Sequence, residues 1–121
     1  MNKLDEVTSH YRPGAVTEIE NNLILNWYPK RILKRLEGVR INSVLELGVG
    51  HGFTAQLFNP YFKRHVILEG SAVVIDLFKK KNNIDVDIEH TLFEDFSTEE
   101  RFDVIVMGFI LEHVDDPGLI I

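Results

Sequence analysis

The stretch Val44-Leu-Glu-Leu-Gly-Val-Gly-His-Gly52 joins a short apolar run to a cluster of glycines. An apolar run of this length that ends in glycines is typical of a buried parallel strand leading into a tight turn. Glycines have no Cβ, so a ligand can approach the backbone of such a turn closely. We therefore predict a strand over Val44–Leu47 followed by a ligand-binding turn.

Strands and helices alternate along the chain after this turn. The predicted elements are a helix over Phe53–Phe58 that ends at Asn59-Pro60, a strand over His65–Leu68, a helix capped by Ser71 and ended by Asn82-Asn83, an edge-like strand at Val86 and Ile88, and an apolar, central strand over Phe102–Met107. This alternation predicts an α/β fold, a Rossmann-like parallel sheet with flanking helices and right-handed crossovers.

Helical periodicity also precedes the turn. Thr17 and Glu20 have the spacing of a capping box, and the apolar positions that follow recur at helical intervals until Gly38. Pro29 falls inside this pattern, which predicts two helical pieces rather than one. We expect residues 1–38 to form an N-terminal helical segment and residues 39–121 to form the Rossmann-like core.

The composition limits the possible functions. The chain has 121 residues, 45% of them hydrophobic and 26% charged, which is typical of one soluble domain. Its formal charge of −6 argues against a nucleic-acid partner, and no apolar run is long enough to cross a membrane, so we expect a cytoplasmic protein. With no cysteine, chemistry depends on histidines, carboxylates, tyrosines or a bound cofactor, and we expect no metal.

The glycine spacing separates two possible cofactors. A dinucleotide fingerprint would require glycine at position 53, where the chain has Phe53. An acid at Glu46, followed by Gly48, Gly50 and Gly52, instead suits S-adenosylmethionine (AdoMet), whose methionyl end carries positive charge that the acid can attract. The alternative for Glu46 is a strand-terminal carboxylate satisfied by neighbouring backbone amides.

The ends of the next two strands offer further ligand contacts. Glu69 follows the second strand, where an acid can accept hydrogen bonds from both ribose hydroxyls of an adenosyl group. Its alternative role is to favour the dipole of the next helix. Phe93, Glu94 and Asp95 follow the third strand and are placed to meet the adenine ring, although a polar turn with core aromatics is an equal alternative.

His113 follows the fourth strand, beside Glu112, and so is expected to line the same crevice. An imidazole there could act as a base toward a hydroxyl substrate. The alternative is that His113 only holds its loop through a backbone bond.

These motifs, taken in order over about residues 40 to 117, resemble the class I AdoMet-dependent methyltransferases, in the small-molecule branch that includes ubiquinone-biosynthesis enzymes. The resemblance implies that the glycine loop holds the methionyl part, Glu69 the ribose and the turn at Phe93 the adenine. It adds Val49, Gly70 and Gly108 to the cofactor site. It also implies that the N-terminal helices form a lid, with Tyr11 and Tyr28 as contacts, whereas Trp27 is expected in ordinary helix packing.

The resemblance further implies an enzyme that transfers a methyl group to a small-molecule acceptor and releases S-adenosylhomocysteine (AdoHcy). Members of this family have further strands after the fourth, so we expect a fragment with a truncated sheet. Its apolar edge favours association with another chain, for example as a homodimer. The alternatives are a non-catalytic AdoMet-binding module or subunit, and a nicotinamide-dependent dehydrogenase. The acceptor and the methylated atom are left open.

Overall fold

The computed structural model describes residues 27–50, 52–108 and 110–121, with Glu112 described by its backbone alone. The predicted capping box at Thr17 and Glu20, the first helical piece and Tyr11 lie outside the described residues. The domain boundary predicted near residue 38 stays a prediction.

The described strands form one sheet. They are β1 (Ser43–Leu47), β2 (Arg64–Glu69), β3 (Asp87–His90) and β4 (Val104–Val106). The sheet is four-stranded in the order β3-β2-β1-β4, and each neighbouring pair is parallel. The predicted α/β class and the parallel sheet are confirmed.

The described residues also form four α-helices, of which the second and third connect β1 to β2 and β2 to β3. Residues 27–35 form α1, and the others are α2 (Phe53–Phe58), α3 (Ala72–Lys81) and α4 (Pro117–Ile120). Short 3₁₀ turns occupy Asn59–Tyr61, Phe93–Asp95 and Leu111–His113. The side chain of Ser71 caps α3 by accepting a hydrogen bond from the N–H of Val74, as its position before the helix predicts.

Residues 27–35 are continuously helical, and Pro29 is buried within α1. The first of the two predicted helical pieces lies outside the described residues, so the division into two pieces stays a prediction. The helix ends at residue 35 and is followed by a turn over residues 36–38, which ends at Gly38 with a φ of +77°, close to the predicted end.

The two faces of the sheet are covered differently. On one face, α1, α2 and α3 supply side chains to two apolar clusters. The first cluster is centred on Val44, Phe58, Phe62 and Val106. The second is centred on Val49, Ala55, Ile67, Val74 and Phe78. We call this the helix-covered face. On the opposite face, a third cluster is centred on Leu45, Leu47, Val66 and Leu68 and is covered by aromatic residues of the turns around β4. The carboxyl ends of β1 and β2 are therefore fixed between two packed layers.

β4 forms one edge of the described sheet, because β1 is its only partner there. Its apolar pattern predicts a central strand that is buried on both faces. Because β4 instead lies at the edge of the described sheet, the apolar side chain of Ile105 is 55% exposed. Asp103 holds β4 against β1, since its carboxylate accepts hydrogen bonds from the N–H groups of Asn42 and Ser43. These bonds lower the pKa of Asp103. No helix among the described residues is both long and apolar enough to cross a membrane.

Candidate functional site

The glycine loop, residues 48–52, connects β1 to α2 and lies at the carboxyl end of the sheet. Gly48, Gly50 and Gly52 all have positive φ, at +81°, +52° and +85°. At Gly52 a side chain would also collide with α3, because a Cβ would lie 2.7 Å from Cδ2 of Phe78. The loop therefore requires glycine both for its turn and for the close approach of α2 to α3.

The loop is open at its centre. No described atom lies within 4 Å of a Cβ placed on Gly50, whereas a Cβ on Gly48 would lie 3.1 Å from Cγ2 of Ile110 and 3.8 Å from Cζ of Phe93. A ligand can thus approach the backbone at Gly50. His51 lies outside the described residues.

Glu69 ties this loop to the end of β2. Its Oε2 accepts a hydrogen bond from the N–H of Val49 at 3.0 Å, and its Oε1 accepts one from the N–H of Ser71 at 3.0 Å. Burial raises the pKa of Glu69, while the backbone hydrogen bonds partly lower it. The backbone N–H of Gly70 is a third hydrogen-bond donor to this carboxylate, which has about four acceptor sites in all. Glu69 can therefore hold the loop and still accept a hydrogen bond from a hydroxyl group.

Glu46 lies on the helix-covered face and is 3% exposed. Its Oε2 lies 3.2 Å from Nε2 of His65, the first buried residue of β2. Burial raises the pKa of Glu46, and the hydrogen bond and charge interaction with His65 lower it in part. The alternative prediction for Glu46 is a carboxylate that accepts hydrogen bonds from backbone amides. The partner in the structure is instead the imidazole of His65.

The turn after β3 contributes one apolar and two acidic side chains. Phe93 packs with Phe96 against the cluster of Leu45 and Leu47, as the core alternative predicts, and its ring also lies next to Gly48. Glu94 and Asp95 are exposed. Phe93 is therefore both a core residue and a neighbour of the glycine loop.

Tyr28 brings α1 to the carboxyl ends of β1 and β4. The hydroxyl of Thr54 donates a hydrogen bond to the Tyr28 oxygen across 3.3 Å. A Cβ on Gly108 would lie 2.7 Å from Cζ of Tyr28, so the ring occupies the space above this glycine. Burial raises the pKa of Tyr28, the hydrogen bond with Thr54 lowers it, and the nearby charge of Glu46 raises it further.

Three other predicted residues occupy turns or helix surface. The carbonyl of Gly70 lies 3.1 Å from Nε2 of His90 in the turn after β2. His113 is exposed, and its backbone N–H donates a hydrogen bond to the carbonyl of Ile110 at 2.9 Å. Trp27 is 59% exposed, with the Arg31 guanidinium 5.0 Å from its ring centroid. The described residues contain no group of three or more His, Asp or Glu side chains placed to hold a metal ion.

The sequence did not identify His65, Asn59 or Thr54 as polar partners of the site. Thr54 contacts Tyr28, His65 contacts Glu46, and Asn59 contacts His65. A polar residue inside a strand that is otherwise buried on both faces was the available signal for His65, because such a group requires a partner. The other two depend on tertiary contacts between elements.

This arrangement, a parallel α/β sheet with an acid-flanked glycine turn after β1, defines a Rossmann-like ligand-binding class. The chain also matches a family model described as a methyltransferase domain over residues 15–121. It belongs to the methyltransferase domain family, and the resemblance seen in the sequence is confirmed.

Relatives and solved structures agree with this assignment. The ubiquinone biosynthesis O-methyltransferase of Rhodopseudomonas palustris is 27% identical over 113 residues, which cover 91% of this chain and 41% of that protein. The enzyme of the same name from Nitrobacter winogradskyi is 33% identical over 92 residues, which cover 74% of this chain and 34% of that protein. The chain therefore spans less than half the length of these relatives.

Two solved structures share the fold at lower identity. The N-methyltransferase NodS from Bradyrhizobium japonicum, in complex with AdoHcy, has a TM-score of 0.67 at 18% identity, over 86% of this chain and 55% of that one. An S-adenosylmethionine-dependent methyltransferase from Clostridium acetobutylicum has a TM-score of 0.61 at 17% identity, over 74% and 40% of the two chains. At these identities the likeness establishes the fold.

Proposed function

We propose that this chain is the cofactor-binding part of an AdoMet-dependent methyltransferase that acts on a small molecule. The observation that carries the proposal is the link between Glu69 and the N–H of Val49, which fixes an open glycine loop beside a carboxylate with spare acceptor capacity. This combination suits a ligand that has both an amino-acid end and a ribose.

The described residues fit AdoMet in chemical type. The open backbone at Gly50 leaves room for the methionyl part, Glu46 supplies negative charge for the ammonium group, and Glu69 can accept from the ribose hydroxyls. Phe93 can cover the adenine ring, with Glu94 and Asp95 at its edge. The other proposed cofactor contacts are Gly48, Val49, Gly52, Gly70, Gly108 and Tyr28, together with Tyr11 outside the described residues.

When bound, AdoMet supplies a methyl group on a sulfonium that an acceptor can displace in line. The protein then has to position the acceptor and take up its proton. We assign the proton uptake to His113, which follows β4 and is exposed to solvent. In the intact protein, His113→Gln should lower kcat at least tenfold and leave AdoHcy affinity unchanged. An unchanged kcat would remove His113 from the catalytic role.

The proposed acceptor is a hydroxyl group of a small molecule. The curated relatives are named as O-methyltransferases of ubiquinone biosynthesis, and the formal charge of −6 disfavours a polyanionic substrate. A panel of phenolic and aliphatic alcohols, with amines as the comparison set, would separate O-methylation from N-methylation by the mass of the product.

Isothermal titration calorimetry tests the cofactor assignment directly. The folded protein should bind AdoMet and AdoHcy and should give no heat with NAD⁺ or NADP⁺. Failure of both adenosyl ligands to bind would overturn the proposal, and binding of NAD⁺ would favour a dehydrogenase. Binding of AdoHcy with no methyl transfer to any acceptor in the intact protein would instead support a non-catalytic AdoMet-binding module.

A further inference from the structure

His65 and Glu46 form a buried pair between neighbouring strands. Val44 of β1 is in register with His65 of β2, so Glu46, two residues further on, lies on the same face as His65. The side chains are 1% and 4% exposed, with Nε2 of His65 3.2 Å from Oε2 of Glu46. A buried polar pair of this kind is retained only if its groups satisfy each other.

Asn59 fixes which nitrogen of His65 carries the hydrogen. Nδ2 of Asn59 lies 2.7 Å from the carbonyl oxygen of Asp85, and since a carbonyl can only accept, the amide orientation is set. The same Nδ2 lies 3.3 Å from Nδ1 of His65. Nδ1 must therefore accept, which places the imidazole hydrogen on Nε2, where it donates to Glu46.

In the part of the chain that the structure describes, few other titratable groups face Glu46. From β4 the register partner is Val106, which is apolar, and from α1 the facing titratable group is Tyr28. From β2 the facing titratable group is His65. The side-chain amide of Asn59, which contacts the His65 ring, does not titrate. Among the described residues, Oε1 of Glu46 makes no hydrogen bond.

We propose that His65 is a positioning residue for the cofactor: its Nε2–H holds Oε2 of Glu46, and Oε1 stays free for the ammonium group of the methionyl end. The inference rests on the proposed function, because it requires Glu46 to meet that ammonium group. Asn59 supports the arrangement by holding the imidazole in the donating tautomer.

The pair should set the acidic limit of cofactor binding. Glu46 attracts an ammonium group only as a carboxylate, and its burial favours the protonated acid, so affinity falls as the pH falls. The hydrogen bond from His65 opposes that protonation. Removing this donor should therefore move the loss of affinity to higher pH.

Two substitutions of His65 separate positioning from packing. His65→Phe keeps a planar ring but removes the donor, whereas the amide nitrogen of His65→Gln can take the place of Nε2 and donate to Glu46. We expect the pH midpoint of AdoHcy affinity, measured by calorimetry between about pH 4.5 and pH 8, to rise by at least half a unit in His65→Phe and by much less in His65→Gln. Ile67→Val, in register with Glu46, serves as the control for a small packing defect and should keep the wild-type midpoint.

A ligand without the ammonium group provides a second test of the positioning role of His65. The affinity of 5′-methylthioadenosine, which has the adenosyl part alone, should change with pH in the same way in wild type and His65→Phe. The ¹⁵N chemical shifts of the His65 ring, measured without ligand, should show the hydrogen on Nε2.

The outcomes distinguish this inference from the proposed function. If wild type binds neither AdoMet nor AdoHcy, the proposed function fails. If wild type binds AdoHcy but His65→Phe and His65→Gln have the same pH midpoint, or if the hydrogen is found on Nδ1, only the positioning role of His65 is overturned. A shift of equal size with 5′-methylthioadenosine would also overturn it, because the ammonium group would not be involved.

Discussion

The backbone N–H of Val49 lies 3.0 Å from Oε2 of Glu69 and donates a hydrogen bond to it. The other oxygen of the same carboxylate accepts from the N–H of Ser71. One buried side chain at the end of β2 thus holds both the glycine loop and the start of the turn that leads to α3. Loop shape and the proposed ligand binding therefore depend on the same group.

Glu69→Ala should lower both the stability of the fold and the affinity for AdoHcy. It leaves the N–H groups of Val49 and Ser71 without their acceptor, and we expect a loss of about 2–4 kcal/mol of unfolding free energy together with at least a tenfold weaker affinity for AdoHcy. Urea unfolding and calorimetry measure the two effects. Glu89→Ala, an exposed position on β3, is the matched control and should change neither. Normal AdoHcy affinity in a folded Glu69→Ala variant would exclude Glu69 from the ribose site.

The strand ends were predictable because their signals are local. The apolar run before Gly48, the cap at Ser71 and the glycine at 38 each act through one or two residues, and the structure has all three where the sequence places them. The inclusion of Pro29 in the described helix α1 was not, because a proline restricts the residue before it and its ring clashes with the carbonyl four residues earlier in a helix.

The partner of Glu46 could not be predicted from the sequence either. Two strands can be recognised separately, but whether His65 faces Glu46 depends on their register, and a shift of one residue would turn the imidazole to the other face. The contact of Tyr28 with Gly108 likewise requires the position of α1 on the sheet. Candidate ligand contacts were therefore predictable from strand ends, whereas the polar partners that orient them were not.

Glu46→Gln should change the pH dependence of stability. Burial raises the pKa of Glu46 above its ordinary value of 4.5, so the folded state binds this proton more tightly than the unfolded state. The stability that this group contributes is present below pH 4.5 and is lost as the pH rises through the raised pKa. Relative to wild type, Glu46→Gln should therefore gain stability across this window, with a slope of at most about 1.4 kcal/mol per pH unit.

Urea unfolding of both proteins at half-unit pH intervals measures this difference. Glutamine keeps an oxygen that can accept from His65, so the variant retains the shape of the pair. Parallel curves over the whole range would mean that Glu46 has the same pKa in the folded and unfolded states.

Gly52→Ala should be more destabilising than a positive φ alone explains. Its φ of +85° costs an alanine about 1–2 kcal/mol, and the added Cβ would collide with the ring of Phe78. Overpacking of this kind adds about 1–3 kcal/mol, for a total of about 2–5 kcal/mol in urea unfolding. Gly38→Ala is the control, because Gly38 has a similar φ and no atom of the described residues lies within 4 Å of a Cβ placed there, so it should lose only the first contribution.

Gly108→Ala should displace Tyr28, because a Cβ on Gly108 would lie 2.7 Å from Cζ of the ring. We expect a loss of about 1–3 kcal/mol in unfolding free energy, from overpacking and from the broken hydrogen bond between Thr54 and the Tyr28 oxygen. Tyr28→Phe alone removes that hydrogen bond and keeps the ring, so it should lose about 1 kcal/mol.

A double-mutant cycle shows whether the two residues act through each other. In a Tyr28→Leu background the smaller side chain leaves room for the new methyl group, and Gly108→Ala should then cost at least about 1 kcal/mol less than in wild type. Equal costs in the two backgrounds would place the ring of Tyr28 elsewhere. A reduced cost would confirm that α1 is seated over the carboxyl ends of β1 and β4.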